Sequence, residues 1–179
     1  KNNFDYFRKA GLKKKQLDLA THVVDNERFE CKTEECKITA TLFRQKLQIP
    51  HDDIILLYAG KLENVKNPAI IPEAFLLARL NHNVHLVIIG NGVLEKELKD
   101  RCAQHAGIHF MDFQNQLLMP SVYGMADVFV LSSQSETWGL SVNEAMANGK
   151  AIIVSNQCGC AIDLVSNGEN GYIFDAASA

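Results

Sequence analysis

The stretch IILLYAG, residues 54–60, is a short continuous apolar run that ends in glycine. VHLVIIG, residues 84–90, repeats the pattern, and the runs IHFMDF, DVFVLSS, AIIVSN and GYIF follow further along the chain. Strands without polar alternation are typical of a parallel sheet that is covered on both faces. Because helical patterns separate the runs, the sequence predicts an α/β fold, a Rossmann-like doubly wound parallel sheet from about residue 53 to 175.

The helical patterns between the runs carry recognisable boundary signals. NPAIIPEAFLLARL, residues 67–80, predicts a helix with Pro72 in its first turn, where proline is tolerated. VLEKELKDRCAQHAG, residues 93–107, predicts an amphipathic helix that ends at Gly107.

The first 50 residues lack strand alternation. A helical pattern covers about residues 35–47, with Ile38, Leu42 and Leu47 on one side, and Pro50 closes it. The chain starts inside another helical pattern, FDYFRKAG, without an initiator Met, so we expect it to be a piece of a longer protein.

The composition is that of an ordinary globular domain. The 179 residues are 47% hydrophobic and 22% charged, which is enough for one domain with a core. The formal net charge of -3 gives no general attraction to nucleic acid or to an anionic membrane. No apolar run is long enough to span a bilayer, and the sequence has no signal-peptide pattern at its start.

Five cysteines are scattered along the chain: Cys31, Cys36, Cys102, Cys158 and Cys160. An odd, scattered set argues against a disulfide framework and predicts a reducing compartment. The last two are too close together for the usual zinc pairs, and no HExxH motif accompanies them. We therefore expect no metal site.

Ligands of open α/β sheets bind beyond the carboxyl ends of the strands. The loops at those ends begin at Gly60, Gly90, Phe113 and Ser132. The second loop fails the dinucleotide fingerprint GxGxxG, because Glu95 stands where the third glycine is needed. The sequence has no P-loop either, so the two commonest phosphate-binding glycine motifs are excluded.

Two lysines flank the turn that follows the first strand. Lys61 and Lys66 could neutralise a diphosphate leaving group, whose negative charge grows as its bond breaks. The alternative, that both are solvated loop lysines, stays open from the residues alone.

Two glutamates bracket the predicted start of a helix at Gly139 or Leu140. Glu136 precedes this helix and Glu144 lies about five residues inside it, so the carboxylates should be about 10 Å apart. That is wider than the separation of ~5–9.5 Å between the two catalytic carboxyl groups of a glycosidase. It suits an extended ligand with hydroxyls at both ends and a phosphate at the helix N-terminus between them, as in a nucleotide sugar. Spacing alone leaves open that Glu144 only favours the first helical turn and that Glu136 is a surface charge.

SETWGLSVNEAMANG, residues 135–149, resembles the E-x7-E signature of GT-B glycosyltransferases, specifically the large retaining group called glycosyltransferase family 4. THVVDNERF, residues 21–29, resembles the hinge between the two domains of that family. YAGKLENVKNP, residues 58–68, resembles its first donor-domain loop, and later segments follow in the family's order. The likeness extends over nearly the whole chain from about Thr21.

The resemblance implies a role for each matching residue. Lys61 and Lys66 would bind the donor diphosphate, although arginine is commoner at the first position. Glu136 would contact the transferred sugar and Glu144 the ribose diol. The remaining implied donor-site residues are Gly139 and Leu140 at the distal phosphate, Phe113 and Gln114 at the base, and the strand-end glycines Gly60 and Gly90.

The resemblance also implies a domain arrangement. Residues 1–30 would be the tail of an acceptor domain and the hinge, and residues 31–179 a donor domain that lacks its C-terminal helices. We therefore expect the chain to bind a nucleoside-diphosphate sugar, without metal or other cofactor, but to transfer nothing unaided. A sugar or lipid-linked acceptor would bind the missing N-terminal domain.

For the parent protein, the resemblance implies a cytoplasmic enzyme of envelope polysaccharide or lipopolysaccharide synthesis, with peripheral membrane association. It implies no nucleic-acid partner. Two other functions remain as alternatives: a non-catalytic nucleotide-sugar binding module on the same fold and a nicotinamide oxidoreductase, against which the failed glycine fingerprint counts.

Overall fold

A computed structural model describes residues 2–18, 20–78 and 83–176. Six strands of this part of the chain form one sheet, and every pairing between them is parallel. They are β1 Ile54–Ala59, β2 Val84–Ile89, β3 Ile108–Met111, β4 Val128–Leu131, β5 Ala151–Ser155 and β6 Gly171–Phe174. Their order is β3-β2-β1-β4-β5-β6, which confirms the predicted doubly wound sheet.

The helices agree with the predicted pattern, except that α4 begins at Ile70 instead of residue 67 and α5 is shorter than predicted. Their bounds are α1 Asn2–Lys9, α2 Asn26–Phe29, α3 Glu34–Lys46, α4 Ile70–Ala78, α5 Glu95–Cys102, α6 Met119–Gly124, α7 Leu140–Ala147 and α8 Ala161–Leu164. Pro72 lies in the first turn of α4, and the predicted extension to residues 79 and 80 lies outside the described residues. Helix α5 ends five residues before Gly107, because residues 103–107 form turns instead.

Both faces of the sheet are buried, which explains why the strands lack polar alternation. Along β1, Ile55 and Leu57 belong to one apolar cluster and Tyr58 to the other. Phe129 and Val130 of β4 divide between the two clusters in the same way. Successive side chains of a strand point to opposite faces, so a strand with helices on both sides needs an apolar residue at every position.

The apolar side predicted for α3 is partly wrong. Ile38 and Leu42 are 57% and 55% exposed, whereas Ala40 is buried and Phe43 and Leu47 pack against the core. A Cβ added at Gly124 of α6 would lie only 3.4 Å from the Cβ of Ala40. The small residues thus let α3 and α6 approach closely, and this close packing selects the face that is buried.

The expectation of reduced cysteines is wrong for one pair. Cys31 and Cys36 form a disulfide, with their Cα atoms 5.4 Å apart. The chain reverses between α2 and α3, and the Thr33 side chain accepts a hydrogen bond from the Cys36 N–H to start α3. This capped turn brings together two cysteines that are only five positions apart, within the Cα separation that disulfides need.

The strand order reverses between β1 and β4, so the connections leave these two strands in opposite directions. The crevice at their carboxyl ends is where an open α/β sheet binds its ligand. No helix in the described part of the chain is long and apolar enough to cross a membrane.

The disulfide and the burial of the other three cysteines determine which thiols should react with a reagent in solution. Cys102, Cys158 and Cys160 are buried, and burial raises their thiol pKa, to about 12 for Cys160. We expect the native, unreduced chain to show almost no thiol reactive towards Ellman's reagent. After mild treatment with dithiothreitol and its removal, the two partly exposed thiols of Cys31 and Cys36 should react.

Full denaturation with reduction provides the control, since all five cysteines should then react. Two fast-reacting thiols before any reduction would contradict the disulfide.

Candidate functional site

A cleft of about 360 Å³ opens at the carboxyl ends of β1 and β2. Its lining brings together residues from the loops after β1, β2 and β3 and from the start of α7. Seven of the predicted site residues line it: Gly60, Lys61, Gly90, Phe113, Gln114, Leu140 and Glu144. A larger cleft of about 770 Å³ lies by the amino ends of β4 and β5 and contains no predicted site residue.

The floor of the cleft requires glycine at residue 90. Gly90 has φ +147°, and a Cβ added there would lie 1.9 Å from the carbonyl oxygen of Gly60. The Leu62 N–H donates to the Asn91 carbonyl at 2.9 Å, which ties the two loops together. Without a side chain at Gly90 the loop backbones are in contact, and a ligand could approach them closely.

Lys61 stands at the mouth of the cleft on an anchored backbone. The buried hydroxyl of Tyr58 donates to the Lys61 carbonyl at 2.7 Å. The exposed Lys61 ammonium donates to the Asn91 side-chain oxygen at 3.2 Å. This neutral partner leaves the positive charge uncompensated, so the ammonium can also bind an anion in the cleft.

The N-terminus of α7 faces the same cleft. Gly139 caps the helix in the left-handed conformation, with φ +100°, as its glycine allows. Leu140 and Ser141, the first two helical residues, line the cleft. N–H groups of a first helical turn have no acceptor within their helix and lie at the positive end of its dipole. The helix begins where the sequence predicted, and its start favours an anion.

Glu144 lies on α7 and lines the cleft, half-buried. Its Oε2 accepts a hydrogen bond of 2.7 Å from the Tyr123 hydroxyl. Burial raises the pKa of the Glu144 carboxyl, while the Tyr123 hydrogen bond and the Arg28 charge act in the opposite direction without reversing the shift. The carboxylate is therefore oriented at the cleft wall and able to accept hydroxyl donors.

Lys66 and Glu136 form an ion pair with each other, outside the lining of the cleft. Their side chains are 26% and 19% exposed. Two contacts join their loops: Ser132 Oγ donates to the Lys66 carbonyl at 2.9 Å, and the Gln134 N–H donates to Val65 at 2.9 Å. Two charges that are 70 positions apart in sequence thus meet because β1 and β4 are neighbours.

The loop that carries Glu136 is also held from the other side. The Glu136 N–H donates to the Gln157 carbonyl at 3.2 Å, and the Glu136 carbonyl accepts a hydrogen bond from the Gly159 N–H at 2.9 Å. The indole of Trp138 packs against the core and donates to Asn143 at 2.8 Å. Trp138 therefore supports the loop.

Three neighbours of the predicted residues were not anticipated from sequence. Tyr123 and Asn91 line the cleft and contact Glu144 and Lys61. Arg28 of α2 donates to the Gln116 carbonyl, on the loop after β3. Asn91 directly follows a strand-end glycine, which was an available signal, whereas Tyr123 and Arg28 reach the site only through tertiary packing.

Across residues 2–18, 20–78 and 83–176, no group of three or more His, Cys, Asp or Glu side chains is placed to bind a metal ion.

The Lys66–Glu136 pair should be measurable as a coupling free energy. In a double-mutant cycle with Lys66→Met and Glu136→Gln, followed by urea unfolding, we expect a coupling of about 1–2 kcal/mol, between the values for exposed and buried pairs. The matched control is the more exposed Lys99–Glu95 pair on α5, which should couple more weakly. Equal coupling in the two pairs would show that the partly buried charges do not interact as described.

The family model described as "Glycosyl transferases group 1" matches residues 39–179 of the chain. An uncharacterized glycosyltransferase of Methanocaldococcus jannaschii is 31% identical over 132 residues, covering 72% of this chain and 34% of that protein. The lipopolysaccharide 1,2-N-acetylglucosaminetransferase of Salmonella typhimurium is 31% identical over 147 residues, covering 72% of this chain and 37% of that protein. The chain thus spans little more than a third of the length of these two curated relatives.

Solved structures share the fold. The crystal structure of Anabaena HepE in complex with UDP superposes with a TM-score of 0.76 at 19% identity, covering 96% of this chain and 47% of that one. The C-terminal domain of a glycosyl transferase group 1 family protein, LpcC of Francisella tularensis, has a TM-score of 0.68 at 25% identity. It covers 85% of this chain and 80% of that one. The chain therefore belongs to the glycosyl transferases group 1 family and has the Rossmann-like fold of a GT-B C-terminal domain.

Proposed function

We propose that this chain is the donor-binding domain of a retaining glycosyltransferase, which moves a sugar from a nucleoside-diphosphate sugar to an acceptor. The observation that carries the proposal is the cleft at the carboxyl ends of β1 and β2, beside the reversal of strand order. There the N-terminus of α7, the Lys61 ammonium and the Glu144 carboxylate line one cavity. An anion and a diol are the ligand groups that such a set of donors and acceptors accommodates.

In this proposal the diphosphate occupies the α7 N-terminus, next to Leu140. Negative charge grows on the leaving diphosphate as the glycosidic bond breaks, and preorganised donors are worth most where charge develops. Lys61 and the first-turn N–H groups supply that stabilisation, and Lys66 adds a second cation. Glu136 then contacts the transferred sugar, beside the Lys66 ammonium with which it pairs in the structure.

The nucleoside occupies the side of the cleft formed by α7 and the loop after β3. Glu144 accepts hydrogen bonds from the ribose hydroxyls, and Phe113 and Gln114 lie next to the nucleobase. Phe113 is 63% exposed, so its ring is available for contact with a base. Complexes with UDP, for Anabaena HepE, and with ADP, for starch synthase IV of Arabidopsis thaliana, support a nucleoside-diphosphate ligand for this fold.

The proposal extends to the parent protein. A second domain would carry the sugar or lipid-linked acceptor, since each of these curated relatives is far longer than the match. The Salmonella lipopolysaccharide enzyme supports a role in polysaccharide or lipopolysaccharide synthesis. We propose that the parent acts in the cytoplasm, in peripheral contact with the membrane. We propose that the transfer retains the anomeric configuration and needs no metal.

Nucleotide binding tests the donor site directly. In calorimetric titrations with UDP, GDP, ADP and NADH, with EDTA present, we expect at least one nucleoside diphosphate to bind. Glu144→Ala and Lys66→Ala should each weaken it about tenfold or more, because each removes a charged partner of the ligand.

Glu97→Ala and Lys96→Ala remove exposed charges on α5 and serve as matched controls, with no expected effect on binding. Binding of NADH that survives Glu144→Ala would overturn the proposal in favour of a nicotinamide-binding protein.

The chain alone should bind its donor without transferring the sugar. We expect no acceptor-dependent release of nucleoside diphosphate when the chain is incubated with UDP-, GDP- or ADP-sugars and a panel of sugar and lipid-linked acceptors. The acceptor half of the site would be missing, so binding energy could not be used to orient the second substrate. Robust transfer by this chain would contradict its assignment as a donor domain only.

A further inference from the structure

We propose that Tyr123 is a positioning residue for the ligand: its hydroxyl holds one oxygen of Glu144 so that the other receives the ribose diol. This inference rests on the proposed function, in which Glu144 binds the diol. The sequence did not predict it, because Tyr123 lies on the short helix α6, between β3 and β4.

The hydroxyl of Tyr123 has a fixed position. The residue is fully buried, and its ring makes edge contacts with Phe29 and Phe129, at centroid distances of 6.3 and 5.7 Å. From there the hydroxyl donates to Glu144 Oε2 at 2.7 Å. A flexible glutamate is thus held by a rigid phenol, which reduces the conformational entropy that a ligand would otherwise have to remove.

The same hydrogen bond affects the charge of Glu144. Burial raises the pKa of this carboxyl, and the Tyr123 hydrogen bond is the strongest opposing influence, followed by Arg28 of α2. The pKa of the Tyr123 phenol is itself raised by burial and by Glu144, so the phenol remains a donor throughout the neutral range. Among the described residues, Lys61 is the other charged side chain that lines this cleft.

Removing the hydroxyl should therefore have two effects that simple loss of packing would not produce. The Glu144 carboxylate loses its orientation, so hydroxyls of the ligand bind less well. Its pKa rises further, so it becomes protonated at higher pH, and diol binding is lost earlier as the pH falls.

The experiment compares the chain with Tyr123→Phe, Glu144→Gln and the double variant. The probes are UDP, GDP and ADP and their 2′,3′-dideoxy analogues, titrated calorimetrically between pH 5 and pH 8. We expect Tyr123→Phe to weaken the tightest-binding ribonucleotide about tenfold, the size of one charge-assisted hydrogen bond, and to leave its dideoxy analogue unchanged. In the Glu144→Gln background the same substitution should have little effect.

The pH profile gives an independent measurement. The acid limb of ribonucleotide binding should move to higher pH in Tyr123→Phe. The titration of the ligand's own phosphate is common to both proteins and cancels in the comparison. Ser121→Ala is the matched control: Ser121 is a buried hydroxyl on the same helix that contacts Cys36 instead of the cleft, so the variant should bind like the parent chain.

Equal weakening of ribonucleotide and dideoxy analogue, or a loss that persists in the Glu144→Gln background, would overturn the role of Tyr123 and leave the donor site intact. A different result would overturn the proposed function itself. If Glu144→Gln left the preference for ribose over dideoxyribose unchanged, Glu144 would not be the diol ligand. If no nucleoside diphosphate bound, the donor site and the role of Tyr123 would fail together.

Discussion

The parallel pairing of β1 with β4 is the constraint on which the rest of the structure depends. These strands are neighbours in the sheet although β2 and β3 lie between them in sequence. Since the connections diverge from this pair, the carboxyl ends open into a crevice instead of being covered by a crossover helix. The pairing is stabilised by burial of both faces, with Leu57 and Phe129 fully buried side by side.

The site that results is built largely from backbone and from helix ends. Gly90 brings two loops into contact, and Gly139 starts α7 at the cleft. Hydrogen bonds hold its charged side chains in place: Lys61 is bonded to Asn91, and Glu144 is bonded to Tyr123. Such a site is preorganised, because its donors need little rearrangement to meet a ligand.

The fold could be predicted because its signals are local. Continuous apolar runs and the terminal glycines mark strands and helix ends without reference to distant residues. Three features depended instead on geometry that the apolar pattern does not encode. The buried face of α3 follows from its packing on Gly124, the disulfide follows from a capped reversal, and the partner of Glu144 follows from the placement of α6.

The cleft brings together seven of the ten predicted site residues, whereas Lys66, Glu136 and Gly139 lie outside its lining. The strand-end rule selects Lys61, and the spacing of the two glutamates about the start of α7 selects Glu144; both line the cleft. The ion pair between Lys66 and Glu136 could not be predicted, since it depends on how the loops after β1 and β4 are positioned relative to each other. Hydrogen bonds from Ser132 and Gln134 connect the two loops, and the pattern of apolar residues in the sequence does not reveal such bonds.

The Lys66–Glu136 pair has a consequence for selectivity between anions. A small anion such as inorganic phosphate that took over Lys66 would leave the Glu136 carboxylate partly buried without its cation, and that desolvation cost would weaken binding. A ligand with hydroxyl groups next to its phosphates can satisfy both residues at once. If Lys66 binds the ligand's phosphates as proposed, the ion pair would discriminate against bare phosphate and in favour of anions that carry a sugar.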